Sequence, residues 1–122
     1  MYKFVSTEQE STMTSEILET TTASPTELKI DVIQLKKAAL ILRAVNHKLR
    51  QQMLKLIHQH GKMTVTEIYV KLRLEQSVAS QHLAILRKAG YVNTLRDGKF
   101  IFYSVNYPRL DQVHSIVHDL LK

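Results

Sequence analysis

The sequence has 122 residues, no cysteine and a formal net charge of +6, which fits one domain of ordinary size and excludes disulfides, thiolate metal sites and thiol nucleophiles. No apolar run approaches the ~20 residues that a membrane-spanning helix needs, and the first residues turn polar too early for a signal peptide. We therefore expect a cytoplasmic protein without a membrane partner.

The charge divides the chain into two parts. Residues 1–30 carry 2 basic and 5 acidic residues, whereas residues 31–122 carry 15 basic and 6 acidic ones. The first part is also rich in Ser and Thr, so we interpret residues 1–27 as an acidic tail, in which residues 11–18 can form a short helix. Residues 28–122 form the predicted domain. Its basic charge fits either a nucleic-acid partner or a soluble domain that is merely basic.

Four helices are predicted in the first two thirds of this domain. Apolar periodicity predicts helices over about 27–45 and 47–60, the first so apolar that we expect cover on more than one side. Thr64 and Glu67 form a capping box that starts a short third helix. A fourth runs from about Gln76 to Ala89, where Gly90 ends it. The short connection between the third and fourth helices is typical of a helix-turn-helix.

A β-hairpin and a last helix complete the domain. Residues 91–96 and 99–105 are β-prone, and Asp97-Gly98 between them is a strong hairpin-turn signal. Pro108 then marks the first turn of a fifth helix. The predicted fold is therefore mainly α with a small β-hairpin, a winged helix-turn-helix of four helices, two strands and a final helix.

The fourth helix has two different faces on a helical wheel. Ala79, Leu83 and Leu86 cluster on one side, which we expect to pack on the core. The opposite face is polar, and its members include Ser77, Ser80, Gln81 and Lys88. In its N-terminal half it offers small hydroxyl and amide groups, which can approach base edges closely. The alternative is a polar surface without a ligand.

The hairpin tip is positively charged. Arg96 and Lys99 flank the predicted turn, so the tip can lie along phosphates or enter a minor groove. The alternative is that these charges only protect an edge strand from aggregation.

Residues from about 35 to 122 resemble the ArsR-type winged-helix transcriptional regulators. The matching segments are 44–54, the Ser80-x-His82-Leu83-x-x-Leu86 string within 76–86, the Gly90 segment 89–92 and the Gly98 wing of 96–103. The resemblance implies a symmetric dimer through the first and last helices and repression at an inverted-repeat operator in double-stranded DNA. By position, it places base reading at Gln76, Ser77, Ser80 and Gln81, and it implies that His82 packs beside the helix. Glu75 departs from the family, which usually has Ser or Thr at that position.

The last helix carries an apolar ridge wider than one domain needs to cover. The ridge consists of Leu110, Val113, Val117 and Leu120. Exposed ridges of this kind mark interfaces, so we predict a C2 homodimer whose recognition helices lie ~34 Å apart, about one turn of DNA. A larger monomer core is the alternative.

The resemblance implies two types of metal site that occur in the family, and neither is present in this sequence. Residues 62–67 hold no thiolate, and the last helix lacks the complete Asp-x-His and His-pair pattern. Asp111, His114 and His118 share one face of that helix and remain weaker metal candidates. We expect no cofactor, and the absence of a phosphate loop, thiol or metalloprotease motif argues against an enzyme. The expected function is sequence-specific DNA binding by a repressor; the alternative is a winged-helix protein–protein interaction module.

Overall fold

The computed structural model describes residues 27–122. The predicted helix over residues 11–18 and all but the last residue of the predicted tail lie outside this range. Residues 33–122 form one compact unit. The elements of the described chain are, in order, α1 (Val32–Val45), α2 (Lys48–His60), β1 (Met63–Thr64), α3 (Val65–Leu72), α4 (Gln76–Lys88), β2 (Val92–Asp97), β3 (Phe100–Val105) and α5 (Tyr107–Leu120).

The predicted fold class, mainly α with a winged helix-turn-helix, is confirmed, and the wing contains one more strand than predicted. β1 pairs antiparallel with β3, with Met63 opposite Tyr103 and Thr64 opposite Phe102, so the strand order is β1-β3-β2. A strand of two residues is too short to produce an alternating pattern, which is why the sequence did not indicate it.

α1 begins later and is less covered than the sequence predicts. It starts at Val32 rather than near residue 27, directly after Asp31, a residue type favoured before helices. Only Ala44 of α1 is buried, while Ile33, Leu35 and Leu40 are exposed. The prediction that α1 is covered on more than one side does not hold within a single chain.

The hydrophobic core lies beneath α2, α3, α4 and the wing. Apolar spacing in each helix turns one stripe of side chains inward, and the stripe predicted for α4 is fully buried. Tyr91, at the start of the wing, is also fully buried, and its hydroxyl donates a 2.6 Å hydrogen bond to the Ile41 carbonyl of α1. Burial raises the pKa of Tyr91. The buried apolar residues are Ala44, Met53, Leu54, Ile57, Met63, Ile68, Ala79, Leu83, Leu86, Tyr91, Val92, Val105 and Val113.

The helix-turn-helix begins with the predicted capping box. The Thr64 hydroxyl accepts a 3.2 Å hydrogen bond from the Glu67 amide, and the Glu67 carboxylate accepts one of 2.9 Å from the Thr64 amide. Arg73, the C-cap residue of α3, has a left-handed backbone with φ of 56°. Arg73 and the two residues after it separate α3 from α4, so the connection is as tight as the sequence predicts.

The hairpin turn lies one residue later than predicted. Asp97 belongs to β2 and pairs with Phe100, so Gly98 and Lys99 form the two-residue loop. Gly98 has φ of 64°, whereas Lys99 is not among the residues with positive φ. Glycine at the first loop position is the arrangement of a type II′ turn. Asp97-Gly98 was the wrong pair because register is decided by cross-strand pairing as well as by the turn dipeptide.

Candidate nucleic-acid interface

α4 presents a polar face to solvent, as its sequence pattern predicts. Ala79, Leu83 and Leu86 anchor the opposite face in the core. This anchoring fixes the rotation of the helix, so the solvent face is set by packing rather than by its own contacts. The exposed residues include all five predicted α4 site residues: Gln76, Ser77, Ser80, Gln81 and Lys88.

The N-terminal end of α4 is open. Glu75 is the N-cap residue, but its side chain makes no capping hydrogen bond. A carboxylate at this end complements the positive pole of the helix and opposes an approaching phosphate. The first turn therefore offers the uncharged Gln76 and Ser77 side chains beside one acidic group.

The wing carries cations above apolar side chains. Arg96 pairs with Ile101 in the sheet, and Lys99 stands in the turn itself rather than beside it. The Lys99 Nζ lies 5.6 Å from the centre of the Phe100 ring, and the Lys62 Nζ lies 4.7 Å from that of Phe102. Such contacts attract cations to the ring face, so the wing presents positive charge along its length.

A groove of about 360 Å³ opens between α4 and β3. Its lining combines two cations with two hydroxyl groups, which suits a phosphate oxygen. The lining residues are Ser80, Ala84, Arg87, Lys88 and Tyr103. Arg87 and Tyr103 are not among the residues predicted from the sequence. The adjacent Arg87-Lys88 pair was a visible signal for the first, whereas the position of Tyr103 depends on the pairing of β3.

His82 turns away from this surface, as expected for a histidine that packs beside the helix. It is half-buried, and its Nδ1 lies 3.1 Å from Nη1 of Arg50 on α2. Burial lowers the pKa of His82, and the charges of His47 and Arg50 lower it further.

The histidines elsewhere in the described chain do not form a metal centre. Within residues 27–122, no three His, Asp or Glu side chains lie close enough to hold an ion. The candidates Asp111, His114 and His118 are exposed on α5 without such a grouping. His58 of α2 is exposed, and its Nδ1 lies 2.7 Å from the hydroxyl of Tyr107.

The predicted interface ridge of α5 divides into two parts. Val113 is buried in the core of its own chain, and Leu110 is partly buried against that core. Val117 and Leu120 are exposed, as are Ile116 and Leu121 beside them. The exposed part of the predicted ridge is therefore its C-terminal half.

Comparison with known proteins decides the family. A model described as "Bacterial regulatory protein, arsR family" matches residues 47–94, from the N-cap of α2 to the middle of β2. An uncharacterised HTH-type transcriptional regulator of Methanocaldococcus jannaschii is 35% identical over 85 residues, which cover 70% of this chain and 96% of that protein. The chain belongs to the ArsR family. Its members are transcriptional regulators and not enzymes, as predicted.

Other relatives extend the match to solved structures. The transcriptional activator HlyU of Vibrio cholerae is 33% identical over 69% of this chain and 77% of its own. Its structure in the reduced form matches with a TM-score of 0.56 at 32% identity, covering 72% of this chain and 92% of that one. The structure of the repressor PagR of Bacillus anthracis matches with a TM-score of 0.57 at 29% identity, covering 71% of this chain and 99% of that one.

No helix in residues 27–122 is long and apolar enough to cross a membrane.

Proposed function

We propose that this ArsR-family chain is a cytoplasmic, sequence-specific repressor that binds an inverted-repeat operator as a homodimer. The exposed face of α4 is the observation that carries the proposal. In its N-terminal half, this face consists of uncharged hydroxyl and amide side chains, held outward by a fully buried opposite face. A surface built for solubility alone carries long charged side chains at such positions. Short hydroxyl and amide groups instead suit contact with base edges in a major groove.

Bases and phosphates are contacted by different residues in this proposal. Gln76, Ser77, Ser80 and Gln81 read bases, because glutamine can pair with adenine and serine can donate or accept at any base. Phosphates are held by cations on both sides of that face. The groove supplies Arg87 and Lys88, which the Tyr103 hydroxyl assists, and the wing supplies Arg96 and Lys99.

The homodimer is supported by the apolar surface that one chain leaves uncovered. α1 exposes Ile33, Leu35 and Leu40, and α5 exposes Val117 and Leu120. Exposed apolar surface on two helices is typical of an interface. A C2 axis through these helices would repeat the recognition helix about one DNA turn away, which an inverted-repeat operator matches.

Repression is proposed because a bound dimer occupies its operator and excludes other proteins from it. The relatives include both activators and repressors. HlyU is named an activator, whereas PagR and a biofilm growth-associated repressor of Agrobacterium fabrum are named repressors. These 122 residues contain no cysteine, so a thiol-based switch is not available to them.

A salt titration of binding to mixed-sequence duplex DNA tests the proposed function. Each phosphate contact contributes about −0.9 to the slope of log affinity against log salt. The double variant Arg87→Ala/Lys88→Ala removes two cations from each protomer, so the slope of a dimer should become shallower by about 3.6. The matched control Lys29→Ala/Lys55→Ala removes the same charge at exposed residues outside the groove and should leave the slope nearly unchanged.

Two outcomes would contradict the proposal. Absence of DNA binding at low salt would favour the protein–protein interaction module. Equal changes of slope in the groove variant and its control would show that net charge, and not the groove, holds the phosphates.

A further inference from the structure

Arg50 is a charged side chain buried where three helices meet. It belongs to α2 and is only 8% exposed. Its Nε donates a 2.6 Å hydrogen bond to the Ala44 carbonyl, and its Nη2 donates one of 3.4 Å to the Arg43 carbonyl. Both acceptors lie in the last turn of α1, where the helix pole is negative, and the Arg43 carbonyl also accepts a 3.2 Å hydrogen bond from the Asn46 amide. Arg50 therefore caps the C-terminal end of α1.

The same guanidinium also holds the recognition helix. Its Nη1 lies 3.1 Å from Nδ1 of His82, which is in α4 directly after Gln81. Arginine can only donate, so the Nδ1 of His82 must accept and must carry no proton. The bond exists only while His82 is neutral. One side chain thus joins the end of α1 to the helix that carries the base-reading residues.

A second histidine, His47, lies beside both Arg50 and His82. His47 is the N-cap of α2, and its Nδ1 accepts hydrogen bonds from the amides of Leu49, at 3.2 Å, and Arg50, at 3.5 Å. Its ring centre lies 4.9 Å from that of His82. A proton on His82 would place a positive charge next to the Arg50 guanidinium and within this histidine contact. Within residues 27–122, the charges that lower the pKa of His82 are those of His47 and Arg50.

We propose that Arg50 is a positioning residue for the recognition helix, that it acts through neutral His82, and that protonation of His82 releases the helix and weakens specific DNA binding. This inference rests on the proposed function, since it assumes that α4 reads bases. It adds a coupling between the C-terminal end of α1, a helix whose earlier residues form part of the proposed dimer surface, and the orientation of the reading helix.

The sign of the pH effect follows from the state that His82 prefers. Burial and the neighbouring positive charges lower the pKa of His82 in the folded chain below its ordinary value of 6.5. Between the folded pKa and 6.5, the unfolded chain binds more protons than the folded one, so stability increases with pH. The contribution of His82 is complete above pH 6.5 and is lost as the pH falls through this interval.

The test compares the affinity for a duplex enriched from a random pool with that for mixed-sequence duplex, at about pH 8 and about pH 5. The ratio of the two affinities cancels the general gain in DNA attraction when exposed histidines become charged. For the full wild-type chain, the ratio should fall about a hundredfold once the pH is below the folded pKa of His82, because each of the two protomers loses one charge-assisted hydrogen bond that contributes about tenfold.

Three variants separate positioning from simple loss of structure. His82→Asn retains an acceptor near the position of Nδ1 but does not titrate, so its ratio should equal that of wild type at high pH and stay high at low pH. Arg50→Lys keeps the charge but lacks the fork that reaches both helices, so its ratio should be low at both values. His60→Asn, a change at an exposed histidine of α2, should follow wild type.

Parallel pH profiles for wild type and His82→Asn would overturn the inference while leaving DNA binding intact, whereas failure to enrich any duplex would overturn the proposed function and the inference together. If His82→Asn does not fold, nitrogen-15 NMR of the free wild-type chain decides. A His82 ring protonated at Nε2 alone at neutral pH supports the inference, and one protonated at Nδ1 contradicts it.

Discussion

Replacing Leu120 by Ala tests the proposed dimer surface at its most exposed part on α5. Leu120 is 71% exposed in the single chain, so a partner that covers it removes most of a leucine side chain from water. Full burial of a leucine contributes about 1.5–3 kcal/mol. The exposed fraction therefore corresponds to about 1–2 kcal/mol for each copy.

Symmetry doubles this effect. In a C2 interface every residue occurs twice, so Leu120→Ala should weaken association by about 2–4 kcal/mol, or raise the Kd of the dimer roughly 30- to 700-fold. Sedimentation velocity over a dilution series measures this Kd directly. Because the residue is exposed in the monomer, thermal unfolding of the dissociated variant should be close to that of the dissociated wild type.

Leu95 provides the matched control. It is 60% exposed but belongs to β2 in the wing, outside the proposed interface, so Leu95→Ala should leave the Kd of the dimer unchanged. Equal shifts for Leu95→Ala and Leu120→Ala, or a wild type that sediments as a monomer throughout the series, would refute this reasoning.

The remaining predictions concern base reading, stability and metal. Gln81→Ala should reduce discrimination between enriched and mixed-sequence duplexes by about 1–3 kcal/mol, whereas Lys99→Ala should lower the affinity for both duplexes equally. Competition binding measures both effects, and finding them exchanged between the two variants would contradict these roles. Ile57→Ala should lower the free energy of unfolding in urea by about 2–5 kcal/mol because Ile57 is fully buried, and Val70→Ala at the exposed surface should stay within about 0.5 kcal/mol. Tyr91→Phe removes the hydrogen bond to Ile41 and should cost about 1 kcal/mol, lowering Tm by roughly 4–8 °C; an unchanged Tm would show that this bond adds nothing. Added zinc should leave DNA affinity unchanged, and a zinc-induced fall that disappears in His114→Ala would contradict this.

Features that depend on local interactions could be predicted from the sequence. The Thr64–Glu67 capping box and the left-handed Gly90 after α4 involve residues close together in the chain, so the residue types alone indicate them. The buried stripe of α4 follows from helical periodicity in the same way. These features were sufficient to predict the helix-turn-helix and the outward face of its second helix.

Features that depend on distant partners could not be predicted. Arg50 stands in an amphipathic helix like any surface arginine, and its burial requires His82, 32 residues away. The hairpin register and the place of Tyr103 in the groove depend on how β3 pairs with both neighbours. The exposed apolar side chains of α1 have no explanation within one chain, since the surface that would cover them belongs to a second copy in the proposed dimer.

Selection of bound duplexes from a random pool by the full chain tests the central claim most directly. We predict enrichment of an inverted repeat whose half-site centres lie about one helical turn apart, ~34 Å along the duplex. Enrichment should disappear when Gln81 and Ser80 are both replaced by Ala. Recovery of unrelated sequences, or of a single asymmetric site bound equally well by that double variant, would contradict recognition of an operator by a symmetric pair of α4 helices.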